Sequence, residues 1–190
     1  MNTSEFSLSL AVVIGINNYQ NGIPSLGNAK QDAEAIAAIL ENDYKYQVHL
    51  LTDSQATGQS LKHWLETELP QRLEKDHPNR LIFYFAGHGD TSKIGDDSQG
   101  YLIPQDAKSG DVETFLPMQQ VEAALTKLSC RHCLIILDCC HGGALRWSNT
   151  RKMDYIGETI HQEQFDRFIK DRAWQVITSA ASNQKALDAP

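Results

Sequence analysis

The chain has 190 residues, 41% of them hydrophobic and 22% charged, and a net charge of −7. Length and composition suit one globular domain with a real core, and the acidic balance argues against a nucleic-acid binder. The longest apolar runs are strand-length, so none reads as a membrane span, and the N-terminus lacks the basic stretch and long apolar run of a signal peptide.

Strands and helices alternate along the sequence. Leu10 to Ile16, rich in Val and Ile, predicts a first buried strand. Asn28 is placed to cap a helix whose apolar positions Ala29, Ala33, Ile36, Ala37 and Leu40 have helical spacing. Gln47 to Leu51 predicts a short second strand. Thr57 is a candidate cap for a helix with Leu61, Trp64, Leu65 and Leu69 on one face, and Pro70 marks its end or a kink. Leu81 to Ala86 is the third strand. Asp90 to Asp111 is polar and reads as a long loop, apart from the apolar piece Tyr101-Leu102-Ile103. Pro117 suits a first helical turn, with Met118, Val121, Leu125 and Leu128 following at helical spacing. Cys133 to Leu137 is the fourth strand. A polar stretch from Arg146 to Glu158 leads to an amphipathic helix around Ile160, Phe165, Phe168 and Ile169. Trp174 to Ser179 is the fifth strand. This order predicts an α/β fold: a mostly parallel sheet with helices on both faces, and a site beyond the carboxyl ends of the strands. The chain stops soon after the fifth strand, so the 190 residues are expected to lack the C-terminal part of the complete domain.

All four cysteines, Cys130, Cys133, Cys139 and Cys140, lie within eleven residues. Adjacent cysteines rarely bridge, so the set is no disulfide framework and points to a reducing, cytoplasmic compartment. Cys130 and Cys133 have C-x-x-C spacing, but one pair cannot close a tetrahedral zinc site, and this pair leads into a strand rather than a helix. Neither a phosphate-binding loop nor a dinucleotide fingerprint is present.

Two strand ends carry chemistry. The third strand runs into Gly87-His88-Gly89, and the fourth into Asp138-Cys139-Cys140-His141-Gly142-Gly143. A free thiol has a pKa of about 8.5, so a cysteine nucleophile needs a base at neutral pH. A histidine can take that proton and later return one to a leaving amine. His88 is therefore the candidate base and acid, Cys140 the candidate nucleophile, and the backbone N–H groups of Gly89 and Cys140 the candidate oxyanion hole. The two side chains lie 52 positions apart in sequence.

These segments resemble the caspase-fold cysteine peptidases (peptidase family C14), and among them the metacaspases and their prokaryotic relatives, the orthocaspases, which carry Asp-x-Cys-His. Further matches are Ala11-Val12-Val13-Ile14-Gly15-Ile16 through Tyr19, Leu26 through Ala33, and Ile177 through Ser182 to Ala186. The resemblance implies a three-layer caspase-like domain over 1–190: a large-subunit-like region to about 145, a linker of about 146–172, and the start of a small-subunit-like region. It makes the second cysteine, Cys140, the nucleophile, and it excludes His141 as the base. It also implies that carboxylates at Asp32 and Asp138 line the S1 pocket, where caspases use arginines. Two buried carboxylates would select a cationic side chain, because an unpaired buried charge is costly, so cleavage after Arg or Lys is expected. Ala86 stands where the family often has a small hydroxyl residue.

No metal or cofactor is expected. Asp90, Asp96, Asp97 and Asp106 lack the spacing of a defined calcium motif and read as solvated loop acids. The expected partners are protein or peptide substrates with a basic P1 residue, with no nucleic acid and no membrane, and a C-terminal segment that is attached or processed. Many family members cleave themselves between the fourth and fifth strands, where Arg146, Arg151, Lys152, Arg167, Lys170 and Arg172 lie. The competing reading is a non-catalytic caspase-fold module that binds partners in a signalling scaffold.

Overall fold

The computed structural model describes residues 6–73, 79–94, 97–139 and 173–179. Five parallel strands form the central sheet: β1 (Leu8–Gly15), β2 (Gln47–Thr52), β3 (Asn79–Ala86), β7 (His132–Asp138) and β8 (Ala173–Thr178), in the order β2-β1-β3-β7-β8. A smaller antiparallel sheet holds β4 (Gly89–Ile94), β5 (Asp97–Leu102) and β6 (Leu116–Pro117). The helices are α1 (Ala29–Asn42), α2 (Gly58–His63), α3 (Leu69–Arg72) and α4 (Met118–Thr126).

Strand periodicity divides the core. Leu10, Val12 and Ile14 of β1 join Leu81, Phe83 and Phe85 of β3 in one cluster, closed by Leu61, Leu65, Leu69, Val121 and Leu125. The intervening Ala11, Val13, Ile82 and Tyr84 face the other way, onto Ala29, Ala33, Ala37 and Leu40 of α1. Successive strand residues point to opposite faces, so a central strand covered on both sides must be apolar throughout. That is why Leu10 to Ile16 and Leu81 to Ala86 read as unbroken hydrophobic runs. The predicted mostly parallel sheet with helices on both faces is the observed one. Strand order reverses direction after β2, which opens a crevice between the carboxyl ends of β1 and β3.

The segment from Asp90 onward differs from its expectation. In place of a long loop, residues 89–102 contain the β4–β5 hairpin. Gly89-Asp90-Thr91-Ser92 carries no apolar alternation. Its strand is held by backbone ladder bonds, which leave no mark in the sequence, and Ser92 donates to the Tyr101 hydroxyl at 3.1 Å. Tyr101 and Ile103, with Ala107 and Phe115, give the hairpin a small core of its own.

Two helix expectations also need refining. Thr57 caps α2 as predicted, accepting from the Ser60 N–H at 3.2 Å. Pro70 does not stop the helix. A π-helical turn over Trp64–Glu68 absorbs the missing N–H, and α3 continues to Arg72. Asn28 occupies the N-cap position of α1 without a side-chain capping bond. The Asn17 Oδ1 supplies that acceptor from a distance, taking the Lys30 N–H at 2.9 Å. The polar stretch from Arg146 and the helix around Phe165 lie outside the described residues.

His49 on β2 packs its ring on Trp64, with centroids 4.7 Å apart. Its Nε2 is buried and has no hydrogen-bond partner among the described residues. Burial and the Arg72 charge, opposed by Glu68, hold its pKa below the ordinary value. Below a pH of about 6.5 the unfolded chain binds a proton here that the folded chain refuses, so stability is complete above that pH and falls as pH drops. We expect the melting temperature of wild type to fall more steeply than that of His49→Phe between pH of about 6.5 and 5. Parallel melting curves would remove His49 from the acid response.

Candidate active site

The carboxyl ends of β1, β3 and β7 form one rim. Gly15 lies opposite Ala86, and Ala86 opposite Asp138, so the three strands end in register. The ladder runs one step further: Ile16 N–H donates to the Ala86 carbonyl at 3.1 Å, and Gly87 N–H to the Asp138 carbonyl at 3.3 Å. His88 therefore leaves a rim that is tied on both flanks.

His88 is half-buried and held by three hydrogen-bonding contacts and one ring contact. Its N–H donates to the Tyr19 hydroxyl at 2.7 Å, and its carbonyl accepts from the Ile103 N–H at 3.0 Å. The ring lies 4.8 Å from the Tyr19 ring, tilted by 48°. Its Nε2 sits 2.9 Å from the carbonyl oxygen of Pro24. A carbonyl only accepts, so Nε2 carries the hydrogen and Nδ1 of the neutral ring keeps its lone pair. The contact thus selects which nitrogen can act as a base. An imidazolium formed at Nδ1 would strengthen the same hydrogen bond, because a charged donor bonds a carbonyl about twice as strongly.

Tyr19 and Pro24 belong to the loop between β1 and α1, which polar anchors fix. Asp53, just after β2, adopts a positive φ of 44°. Its Oδ1 accepts from the backbone N–H groups of Asn17 and Asn18, each at 2.9 Å, and its Oδ2 from the Asn18 side chain at 3.0 Å. Lys30 adds an ion pair at 3.5 Å. Burial pushes the Asp53 carboxyl up, but the Asn18 and Asn17 donors and the Lys30 charge outweigh it and hold the group below its ordinary value. The Asn17 side chain, itself buried, donates to the Gly27 carbonyl at 2.9 Å and to the Gln31 Oε1 at 2.8 Å. Gln105, also buried, donates to the Asn18 carbonyl at 2.9 Å and accepts the Gln20 N–H at 3.0 Å. The result is a rigid loop delivering a carbonyl and a phenol to His88.

A family description of the caspase domain (peptidase C14) matches residues 8–188. The chain belongs to the caspase-domain family. Among solved structures it is similar to protein GSU0716 from Geobacter sulfurreducens, with a TM-score of 0.57 and 22% identity over 72% of this chain and 52% of that one. It also matches pro-sf-caspase-1, with a TM-score of 0.44 and 11% identity over 86% of this chain and 56% of that one. The chain therefore spans little more than half the length of either. None of the curated proteins compared with it matches.

Within this caspase domain the residues expected from the sequence fall as follows. His88 follows β3, and Gly89 opens β4. Asp138 is the last residue of β7 and is half-buried; Asp32 is exposed in the first turn of α1. Neither carboxylate is fully buried. Both act on Tyr84 of β3: burial, then the negative charges of Asp138 and Asp32, push its phenol far above the ordinary value. So α1, β3 and β7 bring the two acids around one buried tyrosine. Cys139 is buried at the end of the rim. Cys140, the next residue, lies outside the described residues, as do the basic residues Arg146 to Arg172. Among the described residues no group of His, Cys, Asp or Glu side chains is arranged to hold a metal ion, and no helix is long and apolar enough to cross a membrane.

Sequence reasoning missed Pro24 and Asp53, and it noted Tyr19 only as part of a match. Pro24 acts through a backbone carbonyl, which every residue has. Asp53 and the Asn17-Asn18 pair did carry a signal: short polar residues just after two strands, where exposed amides need acceptors.

Proposed function

We propose that this caspase domain is a cysteine endopeptidase in which His88 and Cys140 form the catalytic dyad and cleavage follows Arg or Lys, as in metacaspases. The observation that carries this reading is the Pro24 carbonyl on His88 Nε2 at 2.9 Å, which leaves Nδ1 as the proton acceptor at the rim where β7 ends two residues before Cys140. In the first step Nδ1 takes the thiol proton and the thiolate attacks the substrate carbonyl carbon. The tetrahedral oxyanion is received by the N–H groups of Gly89 and Cys140. The imidazolium, steadied by Pro24, gives its proton to the leaving amine, and the C–N bond breaks to leave a thioester. A water molecule, deprotonated by His88, then hydrolyses the thioester and restores the thiol. Cys130, Cys133 and Cys139 are buried and have no part in this chemistry.

The charge of the S1 pocket supports the basic preference. Asp32 and Asp138 offer two carboxylates, so a substrate Arg or Lys gains an ion pair, whereas an Asp meets repulsion. Peptides matched except at P1 should be cleaved at least roughly 100-fold faster after Arg or Lys than after Asp, and Asp138→Ala should erase most of that margin. The same preference makes the basic residues between β7 and β8 candidate self-processing sites, with the C-terminal piece remaining attached to the domain. Intact mass of wild type should show two pieces joined at one of Arg146, Arg151, Lys152, Arg167, Lys170 or Arg172, and Cys140→Ala a single chain. Faster cleavage after Asp would overturn the S1 assignment. Turnover by Cys140→Ala would overturn the dyad, and equal single-chain masses would remove self-processing.

A further inference from the structure

Tyr19 touches the candidate base in two ways at once. Its hydroxyl takes the His88 N–H at 2.7 Å, and its ring lies 4.8 Å from the imidazole. It packs against both the main core and the small cluster under the hairpin, so its position is set from two sides. The neighbouring residue records the same contact. A Cβ added to Gly87 would lie 2.6 Å from the Tyr19 hydroxyl and 3.2 Å from the Phe85 ring. The backbone of Gly87 does not adopt a positive φ, so conformational freedom does not explain the glycine there. The space that its missing side chain leaves is occupied by the Tyr19 oxygen.

We propose that Tyr19 is a positioning residue for His88, and that Gly87 is glycine to admit the Tyr19 hydroxyl. The two residues form one device. The hydroxyl fixes the main chain of His88, the ring limits the tilt of the imidazole, and Pro24 then meets Nε2 in a set orientation. The inference rests on the reading of His88 as the base, because only then does its orientation reach the rate. Misplacement of a catalytic group by about 1 Å is enough to cost about 100-fold in rate. Burial, partly offset by the His88 N–H and reinforced by the charges of Cys139 and Asp53, pushes the Tyr19 phenol far above its ordinary value, so it stays protonated through the working range.

The test is a double-mutant cycle of Tyr19→Phe and Gly87→Ala, read by three measurements. Tyr19→Phe keeps the ring and removes the acceptor; we expect kcat to fall roughly 10-fold with KM changed less than about twofold. Gly87→Ala should lower kcat by roughly 100-fold in wild type, but by less than about threefold when Phe already occupies position 19, since the added methyl then fills the vacated space. Hydrogen exchange at the His88 amide needs no turnover and should be at least roughly 10-fold faster in Tyr19→Phe. Melting temperatures of the four proteins should show the same non-additivity. Additive losses across the cycle, or an unchanged His88 exchange rate, would overturn the inference whatever the activity. If wild type does not hydrolyse the basic peptide and its Cys140 reacts with iodoacetamide no faster than an ordinary thiol, the peptidase reading fails, while exchange and melting still decide the Tyr19 contact. If hydrolysis depends on Cys140 but is indifferent to Tyr19→Phe, only the positioning role fails.

Discussion

His88→Ala is expected to lower kcat/KM toward a basic-P1 peptide by roughly 10²- to 10⁴-fold, the contribution typical of a positioned general acid and base. The loss should fall on kcat, because in the proposed mechanism the imidazole acts on protons in transit while Asp32 and Asp138 bind the substrate. The fold should tolerate the change. His88 is half-buried, and its backbone bonds to Tyr19 and Ile103 survive in alanine; what is lost is the 2.9 Å contact with the Pro24 carbonyl and the ring contact with Tyr19. A melting temperature within a few degrees of wild type would separate chemistry from collapse. The informative control is His141→Ala, which removes the histidine next to the proposed nucleophile, Cys140. If His88 is the base, His141→Ala retains most activity. A larger loss from His141→Ala than from His88→Ala would sink the assignment.

The largest expected effect on stability comes from Gly15→Ala. Gly15 ends β1, directly beneath the first turn of α1. An added Cβ there would lie 2.4 Å from the Ala33 Cβ, 2.7 Å from the Ala29 carbonyl oxygen and 3.0 Å from the Lys30 Cα. Two of these neighbours are backbone, so no side chain can swing aside; the helix itself must move. Overpacking of a fitted core costs typically 1–3 kcal/mol and occasionally more, and a rigid helix against a rigid strand belongs at the upper end, about 3 kcal/mol. For a domain of this size that is a fall of roughly 6–12 °C in melting temperature. Activity should fall as well, because lifting α1 draws the Lys30 N–H away from Asn17, which braces the loop carrying Tyr19 and Pro24. Gly110→Ala is the comparison. Gly110 has a positive φ of 77° with nothing within 4 Å of an added Cβ, so only backbone strain of about 1 kcal/mol is expected. Equal melting temperatures for the two variants would show that α1 yields freely over β1.

The elements that bury an apolar stripe were legible from the residues. β1, β3 and β7 announce themselves as strand-length apolar runs, and α1 by its alanines at helical spacing. Their observed ends lie within two residues of the expected ones. The β4–β5 hairpin was not legible, because polar strands paired through backbone bonds satisfy no hydrophobic pattern. The turn at Pro70 was half legible: proline signalled a disturbance, but whether the helix ends or absorbs it in a wider turn depends on the surface it packs against. In the candidate site His88 and Asp138 could be picked out because the roles proposed for them rest on their own side chains.

From the residue order alone follow the alternation that makes a parallel sheet, the two strand ends bearing a histidine and a cysteine, and the acidic character of positions 32 and 138. The tertiary structure decided that β3 lies between β1 and β7, and that the loop after β1 folds back over His88. It reaches His88 through Tyr19 and Pro24, 69 and 64 positions away. Contacts of that separation involve a carbonyl, an amide and a phenol that any sequence could supply. They become specific only when crossover connections of fixed hand bring distant segments to one rim.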